Sequence, residues 1–230
     1  MSDGVPYLAL DTSTPIGSVA VGRAERLLAE VVLGVATRHS EALLPAVDFV
    51  LARAGVQPAE LGAIVVAGGP GSFTGIRIAG AAAKGFARAL GVPLFAYSGL
   101  LALAAASASA DRPVCALFDA RRGEVYSACY EFPGFAAVEE RLAPAPRALS
   151  RVVELMAGAA PLYVGDGALA HRAEIEGAGG IVAPAHMAAP RAGALLWLAD
   201  VAPAGLVAHP DTWEPEYLRP SGAERSAACG

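Results

Sequence analysis

Three features of this 230-residue chain predict an α/β fold built as two lobes, each a mixed sheet flanked by helices. Three strand-like runs open the chain, strand and helix patterns then alternate, and a similar series begins again near residue 98. A single doubly wound sheet would instead alternate from its first strand. The expected lobes are residues 1–97 and 98–208, followed by a tail at 209–230.

The opening runs are Val5 to Asp11, Gly17 to Arg23 and Arg26 to Leu33, the last two separated by a polar turn at Ala24 and Glu25, which makes a meander. From Arg38 to Ala54 the period becomes helical. Leu43, Val47, Val50 and Ala54 form one stripe with Leu44 and Leu51 beside it, and Ala42, Ala46 and Phe49 form a second. Two stripes call for two surfaces, so this helix is either an interface helix or one sandwiched within its own domain. A strand at Ala63 to Ala67 leads through a Gly/Pro loop into a helix from Thr74 to Leu90, then a strand from Val92 to Tyr97. Gly80 and Gly85 weaken that helix intrinsically, and together with Ala81 and Ala82 they let another segment approach it closely. The second series comprises a helix to about Ala110, strands Val114 to Asp119 and Val125 to Glu131, and a Pro-rich passage from Ala143 to Pro146. A helix from Arg147 to Ala157, a strand at Leu162 to Gly165 and helices near Ala170 and Leu195 complete it.

Composition narrows the function. The chain is 55% hydrophobic and only 17% charged, which implies apolar surface in search of a partner. With a net charge of -5 and Lys84 as its only lysine, it lacks the basic stripe that autonomous nucleic-acid binding requires. No apolar run is long enough for a signal or a membrane span, so a cytoplasmic protein is expected. Cys115, Cys129 and Cys229 are odd in number and lack CxxC spacing, which suits buried, reduced thiols.

The densest motif is GGPGSFTGIRIA at Gly68 to Ala79. Strand, Gly/Pro loop and helix start in that order are the layout of a backbone that binds an anion or docks tightly on another surface, and a tight turn with no ligand fits equally well. A P-loop is excluded because Ile76 and Arg77 stand where Lys and Ser/Thr are needed, and a dinucleotide fingerprint because Thr74 replaces its last glycine. Thr74 is the expected helix cap. Asp11, Thr12, Ser13 and Thr14, at the end of the first strand, match the Mg-phosphate turn of sugar kinases and actin-like ATPases, and equally an ordinary hydroxyl turn. Asp11, Thr12 and Ser13, with Gly69, Gly71 and Ser72, are therefore the candidates for vestigial phosphate loops. Val164 to Gly167 offers a second such turn, and Asp119 to Glu124 a charged hairpin or recognition loop. His39 has Leu43 four residues on, so no metal pair forms on that helix, and no nucleophile elbow or other catalytic signature occurs. No metal site and no catalytic residue are expected.

Taken together, LALDTSTPIGSVAV, RHSEALLP, GGPGSFTGIRIA, FDARRGEVYSACY and EPEYLR resemble the bacterial TsaB (YeaZ) family, from Leu8 to about Arg219. The resemblance implies a shortened actin/Hsp70-like fold, and a role in the complex that makes N6-threonylcarbamoyladenosine at position 37 of ANN-decoding tRNAs. It implies a non-catalytic subunit similar to the catalytic TsaD, whose metal-binding HxxxH is broken here by Leu43. The implied partners are a TsaD-type paralogue, a TsaE-type ATPase, a second copy of the chain when alone, and tRNA only within the complex. Partner contacts fall on His39, Leu43, Leu44, Val47, Val50 and Leu51 of the first helix and on Arg77, Ala81 and Gly85 of the second. No cofactor is implied beyond a nucleotide at a subunit junction. The other readings of the same residues are an actin-fold ATPase or phosphotransferase using Asp11, and a metallopeptidase, which the missing ligand pair opposes.

Overall fold

The computed structural model describes residues 4–23, 26–34, 39–121 and 123–218. The predicted turn at Ala24 and Glu25, the first residue of the predicted Arg38 helix, Arg122, Cys229 and the tail from Arg219 lie outside the described residues.

Two five-stranded sheets repeat one topology. In the first, β1 (Tyr7–Asp11), β2 (Gly17–Arg23) and β3 (Arg26–Leu33) form an antiparallel meander, and β4 (Ala63–Ala67) and β5 (Leu94–Tyr97) add in parallel on the far side of β1. The order is β3-β2-β1-β4-β5. In the second, β6 (Val114–Asp119), β7 (Glu124–Glu131) and β8 (Glu139–Ala148) form the meander, and β9 (Leu162–Val164) and β10 (Ile181–Val182) add in parallel beside β6. This duplicated mixed sheet is the two-lobed actin/Hsp70-like architecture. The Pro-rich passage is part of β8 rather than a connection, because Pro144 and Pro146 sit on a sheet edge, where a missing N–H breaks no interior ladder.

Helices fill three layers. α1 (His39–Ala54) and α2 (Phe73–Leu90) cover the outer face of the first sheet, where Leu8, Leu10, Val19, Ile64 and Val66 meet Leu43, Val47, Val50, Ala79 and Ala83. α4 (Leu149–Leu155), α5 (Asp166–Ala170) and α6 (Arg172–Gly177) cover the outer face of the second. Between the sheets lie α3 (Gly99–Ala105) and α7 (Ala192–Val201). The sheet positions facing them are small, namely Ala9, Ala20, Ala67, Ala116 and Ala128, which brings helix and strand backbones close. α7 follows the second sheet in sequence yet packs on β1, β2 and β4 of the first. Its N-terminus is held there by Ser18 Oγ, which accepts from Ala192 N at 2.9 Å, and by Glu30, which accepts from Gly193 N at 3.0 Å.

Cys115 and Cys129 correct the expectation of free thiols. They stand directly opposite each other on β6 and β7 and form a disulfide. Antiparallel register, rather than sequence spacing, brings them together.

Candidate functional site

The site is assembled where β1, β4 and β5 end side by side. β1 delivers Asp11 to a turn whose geometry Asp11 itself sets, its Oδ1 accepting from Ser13 N at 2.7 Å. β4 delivers the Gly68–Ser72 loop, which lies on that turn: Ser72 N donates to Ser13 O at 2.7 Å and Thr12 Oγ1 donates to Gly75 O at 2.6 Å. A Cβ at Gly71 would run into the Ser13 carbonyl oxygen, and one at Gly75 into that of Thr12. These two glycines permit close approach of backbone to backbone, which answers the question the sequence left open: the loop docks on the DTST turn. Two more loop groups are engaged by β5 and the start of α3. Gly68 N donates to Tyr97 O at 2.8 Å, and Gly99 N donates to Gly69 O at 2.7 Å.

The helix cap differs from the expected one. Ser72, not Thr74, caps α2, its Oγ accepting from Gly75 N at 3.3 Å, and Gly91 closes the helix in the left-handed conformation.

The docked loop buries the candidate phosphate turn. Asp11, Thr12 and Ser13 are 1%, 0% and 1% exposed. Burial pushes the Asp11 carboxyl from 3.8 up to about 6, against the opposing pull of its hydrogen bonding to Ser13. Asp11 Oδ2 and Ser13 Oγ are buried with no hydrogen-bond partner among the described residues. His39, also buried, points its Nε2 at Thr14 O, 2.9 Å away, tying the start of α1 to the same turn. In the second lobe the equivalent turns are joined likewise: Asp166 Oδ1 accepts from Asp119 N at 3.2 Å and from Gly167 N at 2.8 Å. Burial raises the pKa of Asp166.

The predicted partner residues divide sharply. Leu43, Val47, Val50 and Leu51 are buried against the first sheet, so they are core rather than contact surface, as is His39. The stripe on that side is satisfied within the chain. The two flanks of that stripe stay open, with Leu44 53% and Phe49 49% exposed. On α2, Arg77, Ala81 and Gly85 are exposed in a line at helical spacing, and a Cβ at Gly85 would meet nothing. Gly80 and Ala79 on the same helix are buried. The start of the strip is marked by an aromatic and cationic cluster that the sequence did not reveal. The Arg77 guanidinium lies 3.9 Å from the Phe73 ring centroid, and its Nε donates to the Tyr217 hydroxyl at 2.8 Å. The two partners in that bond are separated by 140 residues, beyond the reach of any local pattern.

A family model described as TsaD, tRNA N6-adenosine threonylcarbamoyltransferase, matches residues 31–177. The solved structure of YeaZ from Pseudomonas aeruginosa is 33% identical, superposes with a TM-score of 0.77, and is matched over 100% of its length by 94% of this chain. The chain belongs to the TsaB (YeaZ) family. A second Pseudomonas aeruginosa structure, described as similar to peptidase YEAZ, is 32% identical with a TM-score of 0.78, over 94% of this chain and 100% of that one. The tRNA threonylcarbamoyladenosine biosynthesis protein TsaB of Bacillus subtilis is 40% identical over 125 residues, 54% of this chain and 55% of that protein. TsaB of Escherichia coli is 35% identical over 126 residues, 54% of each. The chain thus spans about half the length of the curated relatives it matches.

In this TsaB-family chain Leu43 takes the place of a second helix ligand beside His39, inside the core. Among the described residues no three His, Cys, Asp or Glu side chains gather as a metal site, and no helix is long and apolar enough to cross a membrane.

Proposed function

We propose that the chain is a non-catalytic scaffold and dimerisation subunit of the complex that transfers a threonylcarbamoyl group to adenosine 37 of ANN-decoding tRNAs. One observation carries this reading. The turn that would hold a phosphate in an active member of the fold is covered by the chain's own Gly68–Ser72 loop, and the outer surfaces of α1 and α2 leave Leu44, Phe49, Arg77, Ala81 and Gly85 exposed. Rigid loop contacts and small residues suit a surface that fits a partner closely; they supply no nucleophile, base or metal.

The partner that reading calls for is a TsaD-type paralogue, with a second copy of the chain taking its place in isolation and a TsaE-type ATPase joining the complex in the cytoplasm. Tertiary contact with tRNA comes through the complex, consistent with the net charge of -5. The chain brings no cofactor, and a nucleotide would sit at the junction with the partner. A stable interface of this kind buries about 1,200–2,000 Å² in total.

The test is reconstitution. Threonylcarbamoyl-adenylate and substrate tRNA should give no modified tRNA with this chain alone, and modification should appear once the TsaD-type and TsaE-type subunits are added with ATP. Transfer by the chain alone, or magnesium-dependent ATP turnover by it, would overturn the reading in favour of an active enzyme.

A further inference from the structure

The segment from His209 to Tyr217 has no part in the function proposed above, yet it spends its length on α2. Asp211 pairs with Arg88 at 3.3 Å, Lys84 Nζ donates to Trp213 O at 2.9 Å and to Glu214 at 3.2 Å, and Tyr217 accepts from Arg77. The residues touched, Arg77, Gly80, Lys84 and Arg88, share one face of the helix. The exposed strip with Ala81 and Gly85 runs directly beside it.

The Arg88–Asp211 pair, 80% and 78% accessible, is too exposed to hold the segment, and Lys84 pairs there with a carboxylate 74% accessible. The segment's anchors are apolar and backbone. Trp213 and Pro215 sit over Gly80, where an added Cβ would lie 3.4 Å from the Trp213 ring and 3.3 Å from Pro215 Cγ. Trp213 also covers Gly68, whose added Cβ would lie 2.9 Å from its ring. Glu216 N donates to Gly68 O at 2.7 Å. The same short segment therefore grips α2 along its length and the start of the loop that docks on the DTST turn.

We propose that His209–Tyr217 is a brace, with Trp213 and Pro215 as positioning residues, that sets the placement of α2 and so the affinity of the α1–α2 face for its protein partner. The inference rests on the partner-face reading given above. A docked brace holds α2 between itself and the first sheet, and a released one leaves the Gly80 face solvated and α2 free to shift on the sheet. The partner binds the docked state. By linkage, partner binding also tightens the brace.

The experiment uses the full chain with Trp213→Ala and Gly80→Leu, which attack one contact from its two sides, and the milder Trp213→Phe and Gly80→Ala. Affinity for the TsaD-type paralogue is measured by calorimetry, alongside amide hydrogen exchange of α2 and of residues 209–217. Trp213→Ala and Gly80→Leu should weaken binding about tenfold, within the usual range for coupled sites, and speed exchange in α2, with native circular dichroism. Trp213→Phe, which keeps a ring over Gly80, should recover most of the affinity. Adding the paralogue to the wild-type chain should slow exchange in residues 209–217. Binding by Trp213→Ala and Gly80→Leu within twofold of wild type overturns the brace. If either of these two fails to fold, Trp213→Leu and Pro215→Ala, which thin the contact over Gly80, carry the same comparison, and wild-type affinity in both together with unchanged α2 exchange overturns it. If the wild-type chain does not bind the paralogue, the partner-face reading fails, and unchanged α2 exchange in the variants overturns the brace separately.

Discussion

Asp11→Asn removes the charge of a buried carboxyl while keeping its shape and the oxygen that accepts from Ser13 N. Burial raises the folded-state pKa from 3.8 to about 6, so the folded protein favours the neutral acid more than the unfolded chain does. For such a group the stabilisation is fully present below the unfolded value and is lost as pH rises through the folded value. The gap of a little over two pH units, at about 1.36 kcal/mol each and already partly spent at pH 4, makes the wild-type chain lose about 2 kcal/mol relative to Asp11→Asn between pH 4 and pH 7.5. The amide nitrogen placed at the unpartnered Oδ2 position costs about 1–3 kcal/mol at every pH, which shifts the Asn curve without tilting it. Urea unfolding at fixed protein concentration, from pH 4 to pH 8, reads the difference directly provided the denaturant slope stays constant. Parallel stability curves for the two proteins, or a wild-type curve that gains on the variant as pH rises, would refute the burial argument.

Gly75→Ala should cost at least about 2 kcal/mol and lower the melting temperature by several degrees, because its methyl group enters the Thr12 carbonyl; a wild-type melt would show that the loop does not dock as described. Leu43→Asp should unfold the chain, whereas Leu44→Asp should keep native circular dichroism and lose self-association on size exclusion; folded, monomeric Leu43→Asp or dimeric Leu44→Asp contradicts the division of α1 into core and surface. Gly85→Leu should be neutral or stabilise by up to about 1 kcal/mol, since its site is open and leucine is the better helix former, and should still abolish partner binding if the exposed strip is the contact. Alkylation of the unfolded chain without reductant should modify Cys229 alone, and modification of three cysteines would dispute the Cys115–Cys129 bridge.

Much of the fold was legible because burial imposes patterns. β2, β3, β4 and β6 begin and end where their apolar runs do, α1 is helical at every described residue predicted for it, and α2 starts one residue earlier than expected. β8 was hidden by two prolines that only an edge strand tolerates, and β10 by its length of 2 residues. The Gly loop was recognisable as a site of close approach, but its partner was not, since anion and backbone carbonyl make the same demand for absent side chains. The stripes on α1 were visible as two, yet period alone does not say which lies on the chain's own sheet. Nor does local sequence show contacts such as Arg77 with Tyr217 or α7 with β2, which only the closed tertiary structure creates.

The return of α7 to the first sheet has a consequence for how the chain leaves the ribosome. β1 to β5 are complete by Tyr97, but the helix that covers their inner face ends only at Val201. At about 5–20 residues per second, roughly 5–20 seconds of synthesis separate the two. During that interval Ala9, Ala20, Val65 and Ala67 form an apolar floor with no α7 upon it, and the first sheet reaches its native packing only when the last α-helix of the described fold arrives.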